Sequence, residues 1–226
     1  MTSLLAWPEA ARVGGRLSRE RMFRAAGGGK AIRQLYEEQV ERIDWAFKLF
    51  ERSVNLRAAD GVTEIEVIQV DLRGDRLDDR ILAHIDNSLP HPLIFELIRH
   101  GRGADDVQLA AAYKRRSDAD RSQVVTNEHW RSGWLPASKA REPLPQAVSL
   151  DGLYAGLLRN IWAYPPRPGE TLREQAERLS AAAMQAKTVK RLEGQVRRET
   201  NFARQVTLNR DLRAAKEKHR DLTNSI

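Results

Sequence analysis

The chain contains no cysteine among its 226 residues. Disulfides, cysteine-ligated zinc and iron–sulfur sites and thiol nucleophiles are therefore excluded. No apolar run approaches the roughly 20 residues that a membrane-spanning helix needs, so we do not expect an integral membrane protein. The first residues carry no basic-then-apolar signal, and we expect a cytoplasmic protein. Aromatic residues make up only 6% of the chain, yet five are tryptophan, each a candidate anchor of a core or an interface.

Several motifs of catalysis and cofactor binding are also missing. Gly27–Lys30 looks like part of a P-loop, but Arg24 stands where the first glycine belongs, and Ala31 stands where a serine or threonine is needed. The five histidines form no HExxH pair, no GxSxG surrounds a serine, and no GxGxxG follows the first predicted strand. These absences predict no cofactor and no histidine metal site, and they favour a protein that does not catalyse a reaction.

Positive charge is concentrated at the C-terminal end. The formal net charge is +7; residues 185–226 carry 11 lysines and arginines against five acids, whereas residues 1–184 carry only +1. A basic segment on a near-neutral body is typical of contact with nucleic acid. The alternative is a solvated helix whose cations pair with acids at i, i+4 or dock on an acidic partner. The residues predicted to make these contacts are Lys187, Lys190, Arg191, Arg197, Arg198 and Arg204.

Breaks in the apolar periodicity divide the chain into four predicted segments. Proline and glycine clusters mark the boundaries, because both residues interrupt regular structure. The segments are a loose N-terminal stretch (1–30), an α/β body (31–164), a proline-rich break (165–170) and a basic helical tail (171–226).

Periodicity also predicts the elements within these segments. Apolar spacings of three and four predict a helix from about 31 to 51, and β-branched alternation predicts a strand over 63–72. In the tail, Thr171 and Glu174 form a capping-box pattern, and an apolar repeat near 3.5, interrupted only by Gly194, indicates an imperfect coiled coil. The remaining predicted elements are a helix over 78–89, strands over 92–99, 107–114 and 124–134, and a helix over 150–162.

These elements predict an α+β or α/β fold. A small mixed sheet packs with helices, and a long basic C-terminal helical tail, coiled-coil-like in its repeat, follows.

The strand–helix–strand–strand order of the body resembles small nuclease cores, so its acids are of interest. Metal-dependent nucleases need acids that converge at a strand end with a lysine nearby. Alternation places Glu64 and Glu66 on one face of their strand and Asp71 on the other. No acid-x-Lys pair follows in a strand, and the alternative is a set of surface acids with a packed lysine. The candidate residues are Glu64, Glu66, Asp71, Glu96 and Lys114.

Four longer runs of sequence resemble a known family. They are IDWAFKLFERSVNL (43–56), TEIEVIQVDL (63–72), DNSLPHPLIFEL (86–97) and NFARQVTLNRDL (201–212). Over roughly residues 17–220, the chain resembles the bacterial and archaeal domain-of-unknown-function family numbered four-three-nine-one. The resemblance implies no established activity and no catalytic residues. It does imply a gene neighbourhood of helicases and DNA methyltransferases in restriction-like or phage-defence loci.

Our first hypothesis is therefore a non-catalytic accessory component of a bacterial DNA-defence system. Its basic tail would bind nucleic acid or a helicase or methyltransferase subunit, with Phe202, Val206 and Leu208 anchoring the tail helix on the body and Arg204 and Gln205 supplying planar donors. A membrane partner is not expected, because few large apolar residues lie opposite the charges. A divergent metal-dependent nuclease and a weak structural homodimer built on residues 171–220 are the alternatives.

Overall fold

A computed structural model describes residues 2–117, 119–120 and 124–224. The chain forms two compact units, Met1–Ala163 and Tyr164–Ile226. In the described ranges, we find no helix with both the length and the apolar character needed to cross a membrane.

The first unit is built on a seven-stranded mixed sheet. Strands β3 and β4 are parallel, and the other neighbouring strands are antiparallel. A separate two-stranded hairpin pairs β6 with β7. In spatial order, the large sheet holds β1 (Arg12–Arg16), β2 (Val40–Phe50), β3 (Glu64–Leu72), β4 (Leu93–Arg99), β5 (Asp106–Ala111) and β8 (Trp130–Arg131), with β9 (Leu135–Pro136) also on β5; the small hairpin holds β6 (Lys114–Arg116) and β7 (Val124–Thr126).

Helices cover both faces of this sheet. On one face, side chains of α1, α2 and α4 share a core with Ile68, Val70 and Phe95 of the central strands. Helix α5 packs against β3 and β5, and the alternate β3 residues Ile65 and Val67 are also fully buried. The helices of this unit are α1 (Arg19–Ala26), α2 (Lys30–Gln39), α3 (Glu51–Val54), α4 (Asp79–Ser88) and α5 (Leu150–Ile161), with a 3₁₀ turn at Glu9–Ala11.

The parallel pair β3 and β4 is connected through α4, as parallel strands require a crossover. Asp78 caps the start of α4 by accepting from the backbone N–H of Arg80 at 2.9 Å. The α+β class is thus confirmed, as are the strands predicted over 63–72 and 92–99 and the helices predicted over 78–89 and 150–162.

The single helix predicted from about 31 to 51 is wrong. Helix α2 ends at Gln39, and the chain continues directly as the long strand β2. The pairing of β2 with β3 shifts between Trp45 and Phe47, and such a bulge puts an extra residue into one strand. The buried positions of β2 therefore follow spacings of one to three residues, which imitate a helical stripe.

Two further expectations need correction in the first unit. Residues 1–30 are not a loose segment, because they supply β1 and α1 and bury Leu4, Leu5 and Met22. The strands predicted over 107–114 and 124–134 are each broken into shorter strands.

The second unit is a helical hairpin rather than one long tail helix. Helix α6 (Leu172–Arg198) begins with the predicted capping box of Thr171 and Glu174, and α7 (Phe202–Thr223) follows. Gly194 lies inside α6; the break falls at residues 199–201, where the side chain of Asn201 caps α7.

The two helices of the hairpin run antiparallel. Arg178 near the start of α6 donates to the carbonyl of Leu222 near the end of α7, and Lys216 pairs with Glu193 at 2.7 Å. Arg178 also pairs with the buried Glu170 at 2.6 Å, which ties the proline-rich break to the hairpin. The side chains of Phe202 and Val206 are 78% and 54% exposed, so neither packs inside the hairpin, and their anchoring of the tail on the body stays a prediction.

Candidate metal centre

Three side chains that can ligate a metal converge at the start of β3. Glu64 and Glu66 come from β3, and His91 comes from the segment that leads into β4. One ligand atom from each residue lies within 4.8 Å of the other two. Two carboxylates and an imidazole form a donor set for Mn²⁺, Mg²⁺ or Zn²⁺.

Strand geometry explains this convergence. Alternation directs Glu64 and Glu66 to the same face of the sheet as Ile68, which is the face covered by α1 and α4. Parallel pairing sets Glu66 opposite Leu93, and the backbone N–H of Glu66 donates to the carbonyl of Pro92 at 2.9 Å. His91 is thereby held beside the two carboxylates.

The cluster opens into a cavity of about 320 Å³. Leu17, Met22 and Trp45 give the cavity a mostly apolar wall, and Arg21 brings a positive charge to it. Glu66 is 1% exposed, and its Oε2 is buried with no hydrogen-bond partner among the described residues. A buried carboxylate oxygen without a partner costs free energy, and a bound cation would offset that cost.

The protonation of the cluster follows from its burial. Burial is the main cause that raises the pKa of Glu66 to about 7, and the hydrogen bond and the negative charge of Glu64 act in the same direction. Burial also lowers the pKa of His91 despite the opposing charge of Glu64, so that its imidazole is neutral at pH 7. A neutral imidazole is the form that ligates a metal.

Lys48 completes the cluster, and the sequence analysis missed it. Its Nζ lies 2.6 Å from Glu64 Oε2, while His91 Nε2 lies 3.1 Å from Glu64 Oε1. Lys48 sits on β2 directly opposite Glu66. It was overlooked because residues 40–50 were predicted to be helical, and a helix would not place Lys48 across from an acid on β3.

Two of the predicted nuclease acids lie elsewhere. Asp71 projects from the opposite face of β3 and pairs with Arg42 at 3.1 Å. Glu96 is buried on β4 and accepts hydrogen bonds from Trp7 Nε1 at 2.8 Å and from Arg141 Nη1 at 2.7 Å. Both carboxylates are thus occupied by structural partners, and neither joins Glu64 and Glu66.

Lys114, the predicted nuclease lysine, holds the site in place without facing it. Its buried Nζ lies 2.5 Å from Asp86 Oδ1 and donates to the carbonyls of Asp86, Leu89 and His91 at 2.7, 2.8 and 3.0 Å. Asp86 also contacts His129 Nε2 at 2.8 Å. Lys114 therefore fixes the end of α4 and the segment that carries His91, and we class it as a positioning residue.

All six residues predicted for nucleic-acid or partner contact are exposed on the hairpin. Arg198 and Arg204 line an open groove of about 630 Å³ where α6 meets α7. Arg191 donates to Gln195 at 3.1 Å. Among the described residues, neither Arg198 nor Arg204 forms an ion pair, so their guanidinium groups face solvent without an acidic partner.

The comparisons with known proteins identify a family without a known activity. The family described as "Domain of unknown function (DUF4391)" matches residues 5–218, and the chain belongs to this family. Neither the curated proteins nor the solved structures include a significant match to the chain.

The raised pKa of Glu66 predicts a specific dependence of stability on pH. The unfolded carboxyl titrates near its ordinary value of 4.5 and the folded one near 7, so the folded state binds the proton more tightly. In EDTA, the free energy of unfolding should therefore fall between about pH 4.5 and 7 and level off above it. Urea unfolding at pH 5 and pH 8 should show a smaller decrease for Glu66→Gln than for the wild type; equal decreases would contradict the assignment.

The role of Lys114 predicts a large loss of stability on Lys114→Met. The substitution leaves Asp86 buried without its ammonium partner and removes one donor from each of three carbonyls, and we expect a loss of about 3–5 kcal/mol in urea unfolding. Lys139 is exposed, so Lys139→Met serves as the matched control and should change stability by no more than about 0.5 kcal/mol. Similar values for the two variants would show that the buried network contributes little.

Proposed function

We propose that this protein is a divalent-metal-dependent phosphodiesterase that cleaves nucleic acid. The observation that carries the proposal is the convergence of Glu64, Glu66 and His91 beside Lys48 in an open cavity. The net charge of +7 and the basic hairpin favour a polyanionic substrate. A divergent metal-dependent nuclease was an alternative hypothesis from the sequence, and the geometry of the cluster is the reason why we now prefer it.

Each part of the cluster has a chemical task in this proposal. Glu64, Glu66 and His91 would hold the ion, which lowers the pKa of a bound water and offsets charge on the phosphate. A water oxygen then bonds to phosphorus, the bond from phosphorus to the leaving ester oxygen breaks, and the water's proton passes through solvent to that oxygen. Lys48 would stabilise the negative charge that develops on the phosphoryl oxygens.

The resting ion pair between Lys48 and Glu64 fits the same scheme. In the absence of a metal, the Lys48 ammonium neutralises a carboxylate that would otherwise face a second acid. Neighbouring ligand atoms of one tetrahedral ion at ~2.1 Å are about 3.4 Å apart, so the ligand atoms, which lie within 4.8 Å of one another, would draw together by up to about 1.4 Å to bind. Binding would release Lys48 from Glu64 towards the substrate.

The proposal predicts opposite effects of two substitutions on metal binding. Glu66→Gln should weaken Mn²⁺ binding at least tenfold and slow Mn²⁺-dependent cleavage of DNA or RNA at least about 100-fold. Lys48→Met should also slow cleavage but tighten Mn²⁺ binding, because Glu64 loses a competing cation. Calorimetry with Mn²⁺ and gel assays with labelled oligonucleotides, in Mn²⁺ and in EDTA, measure the two effects.

The exposed Glu51 provides a matched control, since Glu51→Gln should leave both measurements within twofold of the wild type. Cleavage that persists unchanged in Glu66→Gln would indicate a contaminating nuclease. Absence of both Mn²⁺ binding and cleavage in the wild type would overturn the proposal.

The exposed cations of the hairpin favour a second candidate function, which is the non-catalytic role that the sequence analysis placed first. Here the hairpin binds nucleic acid for a DNA-defence assembly, as the gene neighbourhood implied by the family resemblance suggests. The supporting observation is the open groove lined by Arg198 and Arg204. A helicase or methyltransferase subunit, or a second copy of the chain, is the alternative occupant.

This candidate predicts binding that depends on salt and on the groove. Fluorescence anisotropy with single- and double-stranded oligonucleotides should show affinity that falls steeply between 50 and 200 mM salt, on the order of 10³-fold for six phosphate contacts. The double variant Arg198→Gln/Arg204→Gln should bind more weakly and with a shallower salt dependence. Arg220, which lies 3.6 Å from Glu217, gives the control Arg220→Gln. Affinity that does not change with salt would contradict phosphate contact by the hairpin.

A further inference from the structure

Three arginine side chains converge near the start of β2, away from the candidate metal centre. Arg16 ends β1, Arg19 opens α1 and Arg73 follows β3. Arg19 Nη2 donates to the carbonyl of Val40 at 2.5 Å and to that of Glu41 at 3.2 Å, and Arg73 Nε donates to the same Val40 carbonyl at 3.1 Å. A shared acceptor therefore brings two guanidinium groups together.

No carboxylate of the described residues forms an ion pair with this cluster, although Glu37 is near enough to raise the pKa of Arg19 slightly against the effects of burial and of the other arginines. Within the described ranges, none of Arg16, Arg19 and Arg73 forms an ion pair, and the side chains of Arg19 and Arg73 donate to neutral backbone carbonyls. Glu20 and Glu41 line the same groove but lie beyond ion-pair distance of these guanidinium groups. The positive charges thus accumulate with no acid in contact.

The electrostatics of Arg19 show the resulting repulsion. Burial lowers its pKa, and the charges of Arg73 and Arg16 lower it further. An arginine does not lose its proton near neutral pH, so it cannot relieve the repulsion by becoming neutral. An anion placed among the three groups would relieve it.

The surroundings can admit such an anion. An open groove of about 590 Å³ runs along Arg16, Arg19 and Arg73 and includes the first turn of α1. The unpaired N–H groups of a helix start carry partial positive charge and add to the field of the arginines. The Nη groups of Arg73 and the whole guanidinium of Arg16 remain available as donors.

We propose that Arg16, Arg19 and Arg73 form a phosphoryl-binding site at the start of α1. A phosphoryl group suits this site better than a carboxylate, because its additional acceptor oxygens can meet donors from three guanidinium groups at once. The ligand is either a free or terminal phosphate or a phosphodiester of a nucleic-acid backbone, and the chemistry of recognition is the same for both.

This site stands apart from the proposed phosphodiesterase centre and does not rest on it. Glu66 and Arg73 lie seven positions apart on one extended strand, which is roughly 23 Å at 3.3 Å per residue. One phosphate therefore cannot contact Glu66 and Arg73 at once, although Leu17 lines both cavities.

The first test uses inorganic phosphate with the full chain. We expect phosphate to raise the Tm of the wild type above that in sodium chloride of equal ionic strength, and calorimetry to show at least tenfold weaker phosphate binding by Arg16→Gln/Arg73→Gln. Arg76 is exposed and lies three residues after Arg73, so Arg76→Gln controls for the loss of charge and should bind as the wild type does. Urea unfolding of each variant confirms that it folds.

The second test distinguishes the two sources of the phosphoryl group. Anisotropy in EDTA, with single strands of four and twelve nucleotides, compares the same variants without cleavage. Weaker binding of the twelve-nucleotide strand by Arg16→Gln/Arg73→Gln, with a salt slope smaller by about 0.7 per lost contact, identifies the backbone as the ligand. An effect on inorganic phosphate alone identifies a free or terminal phosphate. If neither ligand separates Arg16→Gln/Arg73→Gln from Arg76→Gln, the site does not exist, whatever the Mn²⁺ measurements show.

Discussion

The buried ammonium of Lys114 is the contact on which the first unit depends. It neutralises Asp86 inside the protein and donates hydrogen bonds to the carbonyls of Asp86 and Leu89 at the end of α4, where helix carbonyls lack the usual partners. Burying the carbonyls of a helix end without hydrogen-bond donors would lower the free energy of unfolding. Burying a lysine that is 3% exposed would lower it as well if no carboxylate were beside it. Each group therefore makes the burial of the other acceptable, and the crossover between β3 and β4 acquires a fixed geometry.

The candidate metal centre inherits its geometry from that arrangement. Lys114 holds the carbonyl of His91, while the parallel pairing of β3 with β4 holds the backbone of Glu66. The backbones of Glu66 and His91 are thus positioned by contacts made on rigid elements, so their side chains are not needed for that positioning. The same burial raises the pKa of Glu66 and lowers that of His91, so the apolar wall of the cavity sets the charge of the cluster.

Elements with a clear local pattern were predicted correctly from the sequence. Elements that depend on how distant strands pair with one another were missed. The strand of β3 and the crossover helix α4 follow from alternation and capping, and Glu64 and Glu66 share a face because side chains alternate along a strand. Strand β2 was missed because its bulge imitates a helical repeat, and Lys48 was missed with it. His91 gave no signal, since its neighbours in the cluster are more than twenty residues distant along the chain.

Net charge was the least informative property, because it hides how charges are paired. Residues 1–184 carry only +1, yet several of their acids are engaged in ion pairs: Asp71 with Arg42, Glu96 with Arg141 and Asp106 with Arg99. The net charge of a segment therefore does not show which of its arginines lie beside an acid. A near-neutral body can therefore carry an arginine cluster without ion pairs. Polyanions can thus be bound by residues outside the hairpin, although the hairpin carries most of the net positive charge.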